Sequence, residues 1–233
     1  NALGLTGPEN LPEEIKKLDI PLEYHIQVDN GNIQDSEKTL YNEAKKIFTK
    51  KEPSIFIGGD HSITYPLFKA FQEHHKNPFL IIFDAHADAM PPSQEPTHEE
   101  FVRAIIEEKL ISSENIIIIG LRKIEPEEQE FLDIHNIKTF NPKEDQESIL
   151  TYIKHKTQKH GVYLSIDIDA IDPSEAPAVN YPEPNGLSIK NFFKILNGIP
   201  NISTIDIVEA ITKKDHNKKT LNLIAKIINS LTL

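Results

Sequence analysis

The sequence contains no cysteine among its 233 residues, and this absence excludes several classes of protein. Without thiols, the chain has no disulfide scaffold, no thiolate zinc site and no cysteine nucleophile. Any metal ion must therefore be held by oxygen and imidazole nitrogen atoms. Long hydrophobic runs are also missing, since stretches such as Ile116–Ile119 are far too short to span a bilayer. The first residues lack a basic region followed by an apolar stretch, which argues against a signal peptide.

Basic residues are in the minority. Lys and Arg number 25 against 36 Asp and Glu, giving a formal net charge of −11. This balance disfavours nucleic-acid binding and suits a cationic ligand. We expect residues 1–233 to form a single domain of a soluble, cytoplasmic protein. Because the first residue is Asn rather than Met, the sequence leaves open whether a native leader or a first strand precedes it.

Short apolar runs alternate with longer amphipathic stretches along the whole chain. The apolar runs predict strands at Tyr24–Val28, Ser54–Ile57, Phe79–Phe83, Ile116–Gly120, Ile137–Phe140, Val162–Ile168 and Thr204–Val208. The amphipathic stretches predict helices at Ser36–Thr49, Ile63–His75, His98–Leu110, Pro126–His135, Glu144–Lys159, Ile189–Leu196 and Lys218–Leu231. Continuously apolar strands that alternate with helices indicate an α/β fold, with a mostly parallel sheet covered on both faces.

Acidic side chains follow two of these strands. Asp84, His86 and Asp88 alternate with small Ala residues, so a chain that stays extended would direct all three to one side. Asp167 and Asp169 repeat the pattern at a second strand end. An acidic loop is the simpler interpretation of either motif alone. However, the carboxyl ends of parallel strands meet at one edge of the sheet, which would bring the two motifs together. Because buried negative charge without compensation is costly, the two motifs together favour a cation site.

A third strand end adds a histidine. The segment GGDHS at positions 58–62 has two glycines that permit a tight turn, although Asp60 or Ser62 could simply cap the next helix. The candidate ligands are two imidazoles and four carboxylates: His61, His86, Asp84, Asp88, Asp167 and Asp169. Four negative charges match two divalent ions, and the oxygen-rich set favours Mn²⁺, with Co²⁺, Ni²⁺ and Fe²⁺ left open. Two such ions about 3.5–4 Å apart can share a water and lower its pKa.

Taken together, the segments GGDHS, DAHAD and SIDIDAIDP resemble the signature motifs of the ureohydrolase family. This family includes arginase, agmatinase, guanidinobutyrase and formimidoylglutamase, and the resemblance runs in order from about Gly58 to Thr220. It implies a three-layer α/β/α fold with a mostly parallel central sheet. It also implies a binuclear manganese centre that hydrolyses a guanidino or amidino C–N bond, in a homo-oligomer that is commonly a trimer or hexamer.

Carried over position by position, the resemblance gives each ion four ligands: His61, Asp84, Asp88 and Asp167 for one, and His86, Asp84, Asp167 and Asp169 for the other. Asp84 and Asp167 would then bridge the two ions. Asp88 also resembles the residue that accepts and passes on the proton of the bridging water. Asp172 resembles a residue that supports its loop rather than a ligand.

Two further residues carry catalytic expectations. Glu209 resembles the family's glutamate that holds the guanidinium, a planar cation that pairs with a carboxylate through parallel hydrogen bonds; otherwise it is simply a Glu at a strand end. His98 has two interpretations. Thr97 and Glu100 read as a capping box that puts His98 in the first turn of a helix. The resemblance instead suggests a proton shuttle that protonates the departing amine.

Departures from the family's motifs bear on the substrate. Met90 stands where arginases usually have Asn, and the loop at 91–97 lacks the Ser-Asn pattern with which arginases hold the amino-acid end of arginine. We therefore expect agmatine or another small cationic guanidino compound as substrate, with L-arginine or a formimino compound as the alternative. A one-zinc deacetylase-type amidohydrolase and a non-catalytic relative are further alternatives. Deacetylase-type enzymes have fewer carboxylates at the site, and the number of bound metal ions distinguishes them. The full set of four carboxylates argues against a non-catalytic relative.

Overall fold

The structure, a computed structural model, describes residues 7–92 and 94–231. Its centre is a sheet of six strands, all parallel to their neighbours. The strands are β1 (Ser54–Ile57), β2 (Pro78–Phe83), β3 (Ile116–Ile119), β4 (Lys138–Phe140), β5 (Gly161–Asp167) and β6 (Ile202–Val208). Their order across the sheet is β1-β6-β5-β2-β3-β4. The parallel sheet predicted from the apolar runs is confirmed.

Eight α-helices within the described residues cover the sheet. They are α1 (Leu11–Lys16), α2 (Ile33–Phe48), α3 (Thr64–His74), α4 (Phe101–Glu107), α5 (Pro126–His135), α6 (Gln146–Thr157), α7 (Ile189–Leu196) and α8 (Lys219–Ser230). Leu80 and Ile82 of β2 pack in one apolar cluster with α2, α3, α4 and α5. Phe79, Ile81 and Phe83 pack in the other with α1, α6, α7 and α8. This alternation gives the predicted three layers, and each fully buried large side chain contributes about 1.5–3 kcal/mol.

β2 and β5 are parallel neighbours in the sheet, and the strands that follow each of them are added on opposite sides. From β2 the chain continues outward to β3 and β4, whereas from β5 it continues to β6 on the other side. The loops that leave the carboxyl ends of β2 and β5 therefore diverge and leave a crevice between them, the usual place for a site in an open parallel sheet. Both acidic motifs follow these two strands.

Two predicted elements need correction. The strand predicted at Tyr24–Val28 is wrong, because this segment pairs with no strand and lies largely exposed beside α2. Lys50, two residues after the end of α2, lies over the Tyr24 ring at 4.7 Å. The helix predicted at His98–Leu110 is shorter, since α4 begins at Phe101 and residues 98–100 form a turn before it. The remaining helix and strand ends differ from prediction by a few residues.

No helix in the described part of the chain combines the length and the apolarity needed to cross a membrane.

Candidate metal centre

The six predicted ligands come together at the ends of three strands. His61 opens a short 3-10 turn after β1, Asp84, His86 and Asp88 lie in the loop after β2, and Asp167 and Asp169 stand at and just after the end of β5. Five of the six side chains are buried, and His86 is partly exposed. The fold therefore concentrates four carboxylates and two imidazoles in the crevice between β2 and β5.

A first group forms around His61. Its Nδ1 atom lies 3.0 Å from Asp84 Oδ2, 3.0 Å from Asp88 Oδ2 and 3.4 Å from Asp167 Oδ2. Neither His61 Nδ1 nor Asp84 Oδ2 has a hydrogen-bond partner among the described residues. A buried ring nitrogen and carboxylate oxygen without such partners are costly in a protein alone, and are suited to a cation. His61, Asp84 and Asp167 form a set that could hold a metal ion.

A second group forms around His86. Its Nδ1 atom lies 2.8 Å from Asp169 Oδ2 and 3.5 Å from Asp84 Oδ1. Asp84, His86 and Asp169 form another set that could hold a metal ion. Asp84 is common to both groups and faces the two histidines with different oxygen atoms. Such a carboxylate is placed to lie between two cation positions, whereas the bridging role of Asp167 stays a prediction.

Backbone hydrogen bonds fix these carboxylates. Asp84 Oδ1 accepts the His86 N–H at 2.7 Å, and Asp167 Oδ1 accepts the Asp169 N–H at 2.7 Å. Asp169 Oδ1 accepts the Ala85 N–H at 3.0 Å. In each case the second oxygen faces a histidine. The extended chain predicted for 84–88 is wrong: residues 85 and 86 form a bend, and Asp88 has a left-handed backbone with φ 47°. The side chains converge through turns rather than strand alternation.

The charges of the cluster perturb its pKa values. Burial lowers the pKa of His61, but the carboxylates of Asp167, Asp84 and Asp88 outweigh burial and hold it well above its usual value. Burial also lowers the pKa of His86, but the neighbouring carboxylates of Asp169 and Asp84 outweigh this effect and raise the pKa to about 12. Burial and adjacent carboxylates raise the pKa values of Asp88 and Asp167 well above their ordinary range. All these shifts favour the protonated form and so oppose the crowded negative charge, which divalent cations bound at this place would also neutralise.

The other nitrogen of His61 begins a buried chain of hydrogen bonds. His61 Nε2 lies 2.8 Å from Ser165 Oγ, which donates to Asp206 Oδ1 at 2.6 Å. Asp206 Oδ2 also accepts from Tyr163 at 2.5 Å and Thr64 at 3.0 Å. This chain fixes the imidazole ring so that Nδ1 faces the carboxylates, as outer partners do in metal sites. The sequence analysis missed it, although an Asp inside the apolar strand β6 was a signal.

Glu209 lies directly against the His61 group. It follows β6 with a left-handed backbone (φ 66°), and its Oε1 accepts the His61 N–H at 2.8 Å. Burial, followed by the charge of Asp60, raises the pKa of Glu209 to about 8. Non-glycine residues in this conformation cost about 1–3 kcal/mol and concentrate at functional sites. Asp88 and Glu209 share this feature, which sequence reasoning did not anticipate.

His98 lies outside both groups. It is buried in the turn before α4, where the Thr97 N–H donates to Glu100 at 2.7 Å, the contact that the capping interpretation expects. Neither ring nitrogen of His98 has a hydrogen-bond partner among the described residues. The proton-shuttle interpretation stays a prediction.

The surrounding loops are tied to the same sheet edge. Asp172 accepts the backbone N–H groups of Ser174 and Gly186 at 3.0 Å and therefore supports its loop. Arg122, missed by the sequence analysis, donates to the Asp169 carbonyl at 2.7 Å. Tyr181 on this loop is about half exposed, and its ring centre lies 6.3 Å from that of His86. Since His86 is the most exposed candidate ligand, its side chain being 23% accessible, the cluster meets solvent beside Tyr181.

Asp215 and Thr220 anchor the start of α8. Asp215 accepts the N–H groups of Thr220 at 3.2 Å and Leu221 at 2.7 Å, and the Thr220 hydroxyl accepts the Ala178 N–H at 3.1 Å. These contacts join the start of the helix to the loop that carries Tyr181.

Comparisons with known proteins agree with this arrangement. The family model described as Arginase family matches residues 3–233. An arginase of Staphylococcus aureus (strain MRSA252) is 29% identical, the match covering 89% of this chain and 78% of the relative. An agmatinase of Photorhabdus laumondii is 31% identical over 82% of this chain and 62% of the relative.

Solved structures show the same fold. The agmatine ureohydrolase of Thermoplasma volcanium superposes with a TM-score of 0.81 at 26% identity, covering 96% of this chain and 82% of that one. The formimidoylglutamase of Bacillus subtilis has a TM-score of 0.87 at 21% identity, covering 97% of this chain and 81% of that one. At this identity the likeness supports the fold alone. The strand-end motifs, the sheet order and the family match lead to one conclusion: the chain belongs to the Arginase family.

Proposed function

We propose that this chain hydrolyses a guanidino C–N bond, releasing urea and an amine, with two Mn²⁺ ions bound at the strand ends. The observation that carries this proposal is the position of Asp84, whose two oxygens face two different histidines at 3.0 and 3.5 Å. The residues that would hold the ions are His61, Asp84, Asp88 and Asp167 for one, and His86, Asp84, Asp167 and Asp169 for the other.

The donor set fits such ions. Four carboxylates balance two divalent charges, and the oxygen-rich set favours Mn²⁺ over a structural zinc ion. His61 Nδ1 and Asp84 Oδ2 make no hydrogen bond to any described residue, and both can give an electron pair to a cation. When bound, the two ions lower the pKa of a shared water and so make a nucleophile available at neutral pH.

The chain's own residues would supply the remaining steps. Asp88 accepts the proton of the attacking water, which then adds to the central guanidino carbon. Glu209 holds the guanidinium by parallel hydrogen bonds. Burial raises the pKa of the Glu209 carboxyl to about 8, and the positive charge of the bound guanidinium keeps this carboxyl ionised. The tetrahedral carbon then expels the amine, which takes its proton from His98. Neither nitrogen of this buried imidazole has a hydrogen-bond partner within the part of the chain that the structure describes, which leaves the ring available for the transfer.

Agmatine or a similar small cationic guanidino compound is the proposed substrate. The net charge of −11 suits a cation, and the loop after Met90 lacks the arginase pattern for the amino-acid end of arginine. The similar relatives carry the names arginase and agmatinase, so L-arginine is the second candidate. A homo-oligomer, trimeric or hexameric by resemblance to the family, is part of the proposal.

Urea release tests the reaction. Protein loaded with Mn²⁺ is assayed against agmatine, L-arginine, guanidinobutyrate and free guanidine, and we expect urea from at least one of the first three, with agmatine fastest. Asp84→Asn should abolish the reaction, whereas Asp172→Asn, a matched change of a carboxylate outside both groups, should retain it. No urea from any compound, with both ions bound, would contradict the proposal. A single bound ion would favour the deacetylase-type alternative.

A further inference from the structure

The Asp88 carboxylate depends on an unusual backbone. Asp88 is a non-glycine residue with φ 47°, a conformation that persists only where the surrounding contacts hold it. Its Oδ2 atom lies 3.0 Å from His61 Nδ1, within the first candidate metal group. The contacts that fix residues 88–90 therefore decide where this carboxylate stands.

Residues near the start of α4 supply two of these contacts. The Asp88 carbonyl accepts the N–H of Val102 at 3.0 Å, and the N–H of Met90 donates to the Glu99 carbonyl at 3.0 Å. Both are backbone hydrogen bonds, which any residue other than proline can donate from positions 90 and 102. They fix the two ends of the segment and leave the peptide groups of Ala89 between them.

Two side chains hold Ala89. Its N–H donates to Glu128 Oε1 at 3.0 Å, and its carbonyl accepts from Arg103 Nε at 2.8 Å. The Arg103 guanidinium is itself fixed above the Phe131 ring at 4.4 Å. Every backbone polar group from the Asp88 carbonyl to the Met90 N–H is thus paired, two of them by side chains specific to this sequence.

Glu128 is well placed for this task. It is buried, with 5% of its surface exposed, in the first turn of α5. Its second oxygen, Oε2, accepts the Glu125 N–H at 2.9 Å and completes the capping box of that helix. One carboxylate therefore joins the rigid start of α5 to the segment after Asp88.

We propose that Glu128 is a positioning residue for the metal centre. By holding the Ala89 N–H it maintains the left-handed backbone of Asp88 and directs the Asp88 carboxylate at the position that faces His61. The inference rests on the proposed function, because it takes Asp88 to be a metal ligand and proton acceptor. Loss of an outer hydrogen-bond partner typically costs about 10–100-fold in metal affinity or activity.

The test compares the two glutamates of one capping box. Glu128→Ala removes the contact to Ala89 and part of the helix cap, whereas Glu125→Ala removes the other half of the cap and leaves Ala89 untouched. Mn²⁺ is titrated into metal-free protein, and kcat, KM and the thermal midpoint are measured. We expect Glu128→Ala to weaken one ion about 10–100-fold and to lower kcat, with KM near the wild-type value. Glu125→Ala should lower the thermal midpoint but bind both ions normally.

Two further variants keep the test decisive if Glu128→Ala fails to fold. Glu128→Gln retains an oxygen that can accept the Ala89 N–H and should recover most of the affinity. Arg103→Met keeps an apolar stem on Phe131 but loses the donor to the Ala89 carbonyl, and should weaken the same ion. Equal metal affinity in Glu125→Ala and Glu128→Ala would overturn the inference, as would wild-type affinity in Arg103→Met. A wild-type chain that binds no ion would instead refute the proposed function.

Discussion

Replacing Ser165 with Ala is predicted to weaken both the fold and the metal centre. The hydroxyl lies between His61 Nε2 at 2.8 Å and Asp206 Oδ1 at 2.6 Å, and all three groups are buried. The substitution removes one oxygen atom and leaves the side chains on either side without their shared partner. It adds no bulk, so the backbone of β5 has no steric reason to move.

The size of the effect follows from these two contacts. A buried polar group left without its partner costs about 1–3 kcal/mol, and a hydrogen bond to a charged group contributes about 1.5–3 kcal/mol. Together they predict a loss of about 2.5–6 kcal/mol in the free energy of unfolding. For a chain of this length that corresponds to a thermal midpoint lower by roughly 5–24 °C. Because the His61 imidazole loses the hydroxyl that fixes it, Mn²⁺ binding should also weaken by about 10–100-fold.

Thermal unfolding of metal-free protein measures the first effect, and Mn²⁺ titration measures the second. Ser203→Ala is the matched control, since that hydroxyl lies on the adjacent strand β6 and, among the described residues, makes a single hydrogen bond of 3.4 Å, to the Asn201 carbonyl. We expect the control to stay within about 0.5 kcal/mol of wild type. A Ser165→Ala protein with wild-type stability and wild-type metal affinity would refute the role assigned to the hydrogen-bond chain.

Three further predictions concern other parts of the molecule. Glu209→Gln should lower kcat/KM for the guanidino substrate by at least about tenfold while both Mn²⁺ ions still bind, as steady-state kinetics and metal titration can show. Tyr181→Ala should raise the KM for agmatine several-fold with little change in kcat, because the ring stands where the cluster meets solvent. Burial, followed by Glu95, raises the pKa of Glu37 to about 7, so its contribution to stability is present below about pH 4.5 and is lost as the pH rises towards 7. Lys69 opposes this shift and Glu108 adds to it. Glu37→Gln should therefore match wild type at low pH and be more stable by about 1 kcal/mol at pH 8, after allowance for solvent screening, in unfolding measured across that range.

Local sequence patterns carried much of the fold and the candidate site. Continuous apolar runs such as Phe79–Phe83 predicted buried parallel strands because a strand covered on both faces has no polar side. The histidines and aspartates of the three motifs could be found because each motif follows such a run directly. The failure at Tyr24–Val28 has the same origin: the local pattern is that of a strand, but the segment lies largely exposed and pairs with no strand.

The supporting residues needed information that local patterns lack. Asp206 supports His61 through the Ser165 hydroxyl from a strand more than a hundred positions along the chain. Glu128, in the first turn of α5, contacts Ala89 in the loop after β2. Arg122 likewise reaches the Asp169 carbonyl across the sheet edge. Such pairs arise from strand order and loop packing. The left-handed backbones of Asp88 and Glu209 also have no sequence signature, since neither residue is glycine.

Mn²⁺ titration of metal-free protein, with Asp84→Asn and Asp169→Asn measured beside wild type, tests the central claim most directly. The shared position of Asp84 predicts that wild type binds two ions per chain, that Asp84→Asn weakens both, and that Asp169→Asn weakens one. A wild-type chain that takes up fewer than two ions, or an Asp84→Asn chain that retains both at wild-type affinity, would contradict the account.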